Sequence, residues 1–205
     1  VLTTAVAKEV TNNLTGLKRH GYKTNCIDEI LTGKWTKGIE SSKYTDDSKV
    51  TDHYAIIPTG EGTESGLNDL ERNVYHQIID RFLSIFYPAS VYEKTEVTLV
   101  HSNGEHFYSS MKTLKDEGFL KVVGIAAADD TTGAIPPGLK KGALVDAVFS
   151  AKEGKTQPPK RYNSGSMILA LENAGNLIED EELRAQIKSC GIGTSATRAA
   201  IIKKL

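Results

Sequence analysis

The chain has 205 residues, with 25 Lys and Arg against 26 Asp and Glu and a formal net charge of −1. That balance is an ordinary globular composition and excludes the strongly basic surface of a module that neutralises many duplex phosphates. No apolar run approaches the roughly 18 residues that a membrane helix needs. Cys26 and Cys190 lie far apart and form no Cys-x-x-Cys pair, which favours a reducing compartment over a disulfide framework. Val1 opens directly into helical pattern and Leu205 stops inside another, so the chain reads as a piece of something longer. By segment, residues 1–59 carry +1, 60–156 carry −4 and 157–205 carry +2. Any nucleic-acid partner must therefore be held by a few placed contacts.

Leu2, Val6, Val10, Leu14 and Leu17 recur at helical spacing. They predict a helix over 2–19, capped by Thr3 or Thr4 and ending in the basic Lys18-Arg19-His20. Residues 22–50 are mixed, with a short helix expected near Cys26–Leu31 followed by loop. Gly60-Glu61-Gly62-Thr63-Glu64-Ser65-Gly66 reads as a flexible connector. A longer helix is expected from about Asn68 to Phe86, with Ser65 able to cap it and Pro88 to end it. Its apolar stripe is read as Leu67, Leu70, Val74, Ile78, Phe82, Ile85 and Phe86.

The period then changes. Val91–Val100 is rich in Val, Thr and Tyr, and Asn103-Gly104 after it favours a type I′ hairpin turn returning through Phe107-Tyr108. Phe119–Val123 and Ala143–Phe149 read as further strands, with Asp129–Lys141 a loop between them. After Pro158-Pro159, Asn163 can cap a helix that runs to about Asn173, with Gly175 as its stop. An acidic helix follows over about Glu179–Lys188. Gly191-Ile192-Gly193-Thr194 then feeds a last helix capped by Thr194.

Two places can carry chemistry. A helix N-terminus presents unpaired N–H groups, so the turn at Gly191–Thr194 can hold a phosphate, with Thr197 and Arg198 one turn in. A ligand-free Gly-Thr cap fits the same residues, and the P-loop spacing is missing. His53, between Asp52 and the run Tyr54-Ala55-Ile56-Ile57, can be an acid, a phosphate donor or a satisfied core imidazole. The other histidines share no metal-ligand spacing. Tyr87, in Phe86-Tyr87-Pro88, reads as packing, with no local base or cation to make it a nucleophile.

Two stretches together point to a family. Val50-Thr51-Asp52-His53-Tyr54-Ala55-Ile56-Ile57-Pro58-Thr59 resembles the D-H-x-A-I-x-P-T signature of type IA DNA topoisomerases. Gly191-Ile192-Gly193-Thr194-Ser195-Ala196-Thr197-Arg198-Ala199 resembles their G-I-G-T-P-A-T-R-A signature. Between them, Arg81–Pro88, Pro158–Tyr162 and Leu171–Gly175 look like further family stretches in the expected order, closest to the topoisomerase III branch. Ser195 replaces the usual Pro, and Tyr54 stands where a second His is common in that branch.

The resemblance implies an α+β, multidomain fragment. Residues 1–92 would be the rest of a tyrosine-bearing lid domain, 93–156 part of a β arch, and 157–205 the start of a helical single-strand-binding domain. It implies ATP-independent cutting and resealing of single-stranded DNA through a 5′-phosphotyrosine. No motif like the family's Tyr-Pro-x-Thr-Asp is present, so this chain alone is expected to be inactive. A non-catalytic single-stranded-DNA-binding module is the second reading. His53 would be the catalytic histidine, with Thr59, Arg161, Gly193, Thr194, Thr197 and Arg198 as DNA contacts. No metal site is expected here; Mg²⁺ would belong to acidic residues of the parent enzyme outside this chain. The expected setting is cytoplasmic and nucleoid-associated, without membrane contact. An arch with one of its two passes would leave a sheet edge exposed, open to self-association.

Overall fold

The computed structural model describes residues 1–50, 53–124, 139–187 and 191–204. It is an α+β structure that divides into two compact units, Val1–Ala143 and Leu144–Leu205.

The first unit is built on three helices: α1 (Thr4–Arg19), α2 (Thr24–Thr32) and α3 (Asp69–Ser84). Thr3 caps α1, its hydroxyl accepting from the Val6 amide at 3.1 Å. Val10, Leu14 and Leu17 then bury one face of α1 against Ile27 and Ile30 of α2 and Ile79, Phe82 and Leu83 of α3. Fully burying each such side chain contributes roughly 1.5–3 kcal/mol. Residues 33–50 run between α2 and the His53 segment through two short 3-10 turns, Ile39–Ser41 and Asp47–Lys49.

Two expectations about α3 are corrected. Its cap is Asn68 in a reciprocal capping box with Glu71, not Ser65. A box satisfies two orphan amides where a lone serine satisfies one. The buried stripe is also rotated: Leu70 and Val74 are exposed, while Ile79, Phe82, Leu83 and Phe86 are buried. The fully buried residues of α3 fall in its C-terminal half, while Tyr75 nearer the start is half-buried against Tyr22.

β1 (Val91–Val100) and β2 (His106–Asp116) form a two-stranded antiparallel hairpin pairing Val97 with Ser109 and Leu99 with Phe107. Its turn is not type I′. Of the turn residues only Gly104 has positive φ, and its amide returns to the His101 carbonyl at 2.9 Å, as when a type I turn precedes a left-handed residue. Phe119–Val123 was expected as a strand; Leu120–Val123 is a single-turn helix, α4. Gly118, at φ 50°, explains the change. It turns β2 back so that the Phe119 amide reaches the Pro88 carbonyl at 2.9 Å, stitching the two feet of the hairpin together.

In the second unit the expected strand Ala143–Phe149 is instead irregular, with Leu144 and Val148 fully exposed. Asn163 caps α5 (Ser164–Glu172) in a capping box with Ser166. α5 ends at Glu172, within a residue of the expected end, and a 3-10 turn, Ala174–Leu177, follows through Gly175. α6 (Glu181–Ile187) and α7 (Ser195–Lys204) follow, and α7 packs on α5. Most of the expected loop Asp129–Lys141 lies outside the described residues, as do Asp52 and Cys190.

Candidate functional site

The His53 segment is extended and laid across α1. Its register comes from three attachments. The Ala55 amide donates to the Val1 carbonyl at 2.8 Å. Asn13 Nδ2, on α1, donates to the Pro58 carbonyl at 2.8 Å and to the Thr59 carbonyl at 3.3 Å. Gly60, at φ 80°, then packs directly on Gly16. The sequence singles out neither Asn13, in Asn13-Leu14-Thr15, nor Gly16 as a residue that holds this segment.

These attachments leave an open groove of about 810 Å³, lined by Val6, Glu9 and Asn13 on one side and by His53, Ala55 and Ile57 on the other. His53 and Tyr54 are exposed, so the imidazole is not a satisfied core group. Thr59 lines the same groove, its hydroxyl accepting from the Glu61 amide at 3.3 Å. The groove therefore offers the His53 and Tyr54 rings, one carboxylate and one amide side chain around a hydrophobic floor.

In the second unit, Gly191 and Gly193 adopt positive φ, 63° and 69°. A Cβ on Gly191 would lie 2.5 Å from the Glu172 carbonyl oxygen, so the turn seats directly on the end of α5. The Ile192 amide completes that seat by donating to the Leu171 carbonyl at 2.8 Å. Thr194 caps α7 as expected. Its hydroxyl accepts from the Thr197 amide at 3.3 Å, while the Thr194 amide donates to Thr197 Oγ1 at 2.8 Å.

Arg198 is 7% exposed, and its Nε donates to the Ile192 carbonyl at 3.1 Å. The same device recurs one helix earlier. Arg184 Nε donates to the Ile178 carbonyl at 2.8 Å, across the cap that Asp180 makes on α6. In both places an arginine one turn into a helix holds the strand entering its cap. Arg161 lies exposed on the irregular stretch before α5.

Tyr87 is buried. Its hydroxyl donates to Glu29 Oε2 at 2.9 Å and contacts the Cys26 carbonyl at 3.3 Å, and its ring meets Trp35 edge-on at 4.9 Å. Burial first, then the Cys26 and Glu29 neighbours, pushes the phenol well above its ordinary value. It is a packed, neutral phenol, as the sequence indicated. Among the described residues no three His, Cys, Asp or Glu side chains gather to hold a metal ion, and no helix is long and apolar enough to cross a membrane.

The sequence model of the family described as DNA topoisomerase matches residues 7–205. The chain belongs to this family. Curated relatives carry the name DNA topoisomerase 3. That of Bacillus subtilis (strain 168) is 39% identical over 179 residues, 82% of this chain and 24% of that protein. Those of Shouchella clausii (strain KSM-K16) and Pasteurella multocida (strain Pm70) are 34% and 32% identical, covering 91% and 96% of this chain and 26% and 30% of theirs. The type IA, topoisomerase III-like identity read from the motifs stands, and the chain spans about a quarter of the length of these relatives.

Proposed function

We propose that this chain supplies part of the single-strand gate of a type IA topoisomerase, with His53 acting at the reacting phosphate and the Gly191–Arg198 turn holding the strand backbone. In that reaction a tyrosine oxygen bonds to phosphorus, the 3′-oxygen of the neighbouring nucleotide leaves, and resealing reverses the exchange. The phosphodiester is traded for a phosphotyrosine ester, so ATP is not consumed. Negative charge grows on the non-bridging oxygens, and positioned donors must meet it.

The observation that carries the reading is the placement of His53. It stands exposed on a groove whose wall, residues 55–60, is pinned to α1 by backbone and Asn13 bonds. A donor on a pinned segment loses little freedom when it engages phosphate. Thr194, Thr197 and Gly193 are exposed at the cap of α7, and Arg161 is exposed upstream. These are the proposed backbone contacts, with Thr59 further along the His53 groove. Arg198 serves them by fixing the turn. By the same reading the attacking tyrosine and the Mg²⁺-binding acids belong to other parts of the enzyme, which acts on cytoplasmic, nucleoid-associated DNA. The hairpin, with most of both faces exposed, belongs to the arch.

The test is His53→Ala in the parent enzyme with a labelled single-stranded oligonucleotide. Cleavage should slow by about 10²-fold or more, the span of general acid–base contributions, with a much smaller loss in strand affinity. Equal losses would reduce His53 to a binding residue. The isolated chain should bind the oligonucleotide without relaxing supercoiled plasmid.

A further inference from the structure

A second pocket of the first unit, about 560 Å³, lies away from the His53 segment. Lys43 and Tyr44 line it from the loop after the first 3-10 turn, Arg81 and Ser84 from the last turns of α3, and Ala89 and Phe119 from the feet of the hairpin. Among the described residues this lining holds two cations and no carboxylate. Two nearby acids, Glu29 and Asp80, are engaged with other groups. Glu29 accepts from Tyr87 and from Lys121, the latter at 2.5 Å. Asp80 Oδ1 lies 2.6 Å from Lys23 Nζ.

Arg81 has no ion-pair partner among the described residues and is exposed. Lys43 Nζ stands 5.2 Å from the centre of the Tyr44 ring, which holds the ammonium beside an aromatic face. Two other pockets of this unit differ in kind. The His53 groove contains Glu9, and the cavity between His20 and Asp80 contains Glu64 and Asp80. Two uncompensated cations next to Tyr44 and Phe119 match a single-stranded nucleic acid, whose phosphates take the charges while a base stacks on a ring.

We propose that the Lys43–Arg81 pocket is a second contact for single-stranded nucleic acid, separate from the His53 groove. The strand as ligand rests on the function proposed above; the charge and shape of the pocket do not. The loop is firmly placed for this task. The Leu2 amide donates to the Tyr44 carbonyl at 2.7 Å, and the Asp46 amide returns to the Leu2 carbonyl at 3.1 Å. Residues 1 and 2 thus join this loop on one side and Ala55 of the His53 segment on the other.

The experiment titrates the whole isotope-labelled chain with short oligo-deoxythymidine and follows its amide resonances. Amides of 43–44, 81–84 and 119 should shift along with those of the His53 segment. In a parallel fluorescence titration, the Lys43→Gln/Arg81→Gln double variant should lower the log–log salt slope by about 1.4, two single-strand phosphate contacts at about 0.7 each. Lys43→Arg should restore its share, and Tyr44→Leu should weaken binding without changing the slope. Shifts confined to 53–59 and 191–198, with an unchanged slope in the double variant, would overturn the second contact and leave the proposed function standing. No shift anywhere would overturn both. Equal shifts with inorganic phosphate alone would make this a small-anion site and overturn its assignment to a strand.

Discussion

Gly16 and Gly60 touch backbone to backbone. A Cβ built on Gly16 would stand 2.7 Å from the Gly60 carbonyl carbon and 2.8 Å from its Cα, and one built on Gly60 would stand 2.6 Å from the Asn13 carbonyl oxygen. No side chain fits on either partner, so this contact sets the height at which the His53 segment crosses α1. Replacing a mid-helix glycine by alanine ordinarily stabilises a helix by about 1 kcal/mol. Gly16→Ala should do the opposite, costing about 1–3 kcal/mol from overpacking, read from urea unfolding midpoints. A more stable variant would show that the contact yields.

Asn13 holds the same segment by hydrogen bonds. Asn13→Ala leaves the Pro58 and Thr59 carbonyls without that donor and should cost about 1–2 kcal/mol. Asn13→Asp should be worse, because a carboxylate oxygen would face two carbonyl oxygens. In both variants hydrogen exchange should quicken across residues 53–60 and little elsewhere in α1. Unchanged exchange would mean that the Ala55–Val1 bond and the glycine contact suffice.

At the turn before α7, charge and position can be separated. Arg198→Lys keeps the charge but cannot reproduce the Nε bond to the Ile192 carbonyl. It should therefore lose as much single-strand affinity as Arg198→Ala, with amide exchange at 191–194 accelerated in both. Full rescue by lysine, with a salt slope that falls only in the alanine variant, would make Arg198 a direct phosphate contact.

Acid should loosen the loop beneath α1 before the core. Asp46 is held down at about 2, first by the Ser48 hydroxyl and then by Lys49, and Asp47 is lowered by the Thr4 hydroxyl and amide. Both folded values lie below the unfolded ones. Their contribution is therefore present above about pH 4 and is lost as pH falls through the folded values, about 2 for Asp46. Urea midpoints at falling pH should drop more steeply in the wild type than in Asp47→Asn, which gives up part of that contribution beforehand. Parallel curves would remove Asp47 from the effect.

Tyr87 provides a control on the proposed chemistry. Tyr87→Phe loses the bond to Glu29 and should cost about 1 kcal/mol of stability. The parent enzyme carrying it should still form the covalent DNA adduct. Abolished adduct with intact folding would make Tyr87 a nucleophile after all.

Much of this was legible in the residues themselves because it is local. A hydroxyl or amide three residues before the amide it serves marks a cap, so Asn163 and Thr194 were readable at α5 and α7, and the α1 cap was narrowed to Thr3 or Thr4. Val91–Val100 declared itself by β-branched composition. The two signature motifs drew attention to His53 and to the Gly191–Arg198 turn. What misled was local pattern where packing decided otherwise. The apolar run at Phe119–Val123 became a helical turn because Gly118 bends the chain onto Pro88. Leu70 and Val74 share a helical stripe with Phe82 yet are exposed, because the core packs on the other face of α3, through Ile79 and Leu83. The contacts that place His53 run from Asn13 to Pro58 and from Gly16 to Gly60, over 40 positions of chain. No spacing rule spans such distances; only the packing of the segment across α1 brings those backbones together.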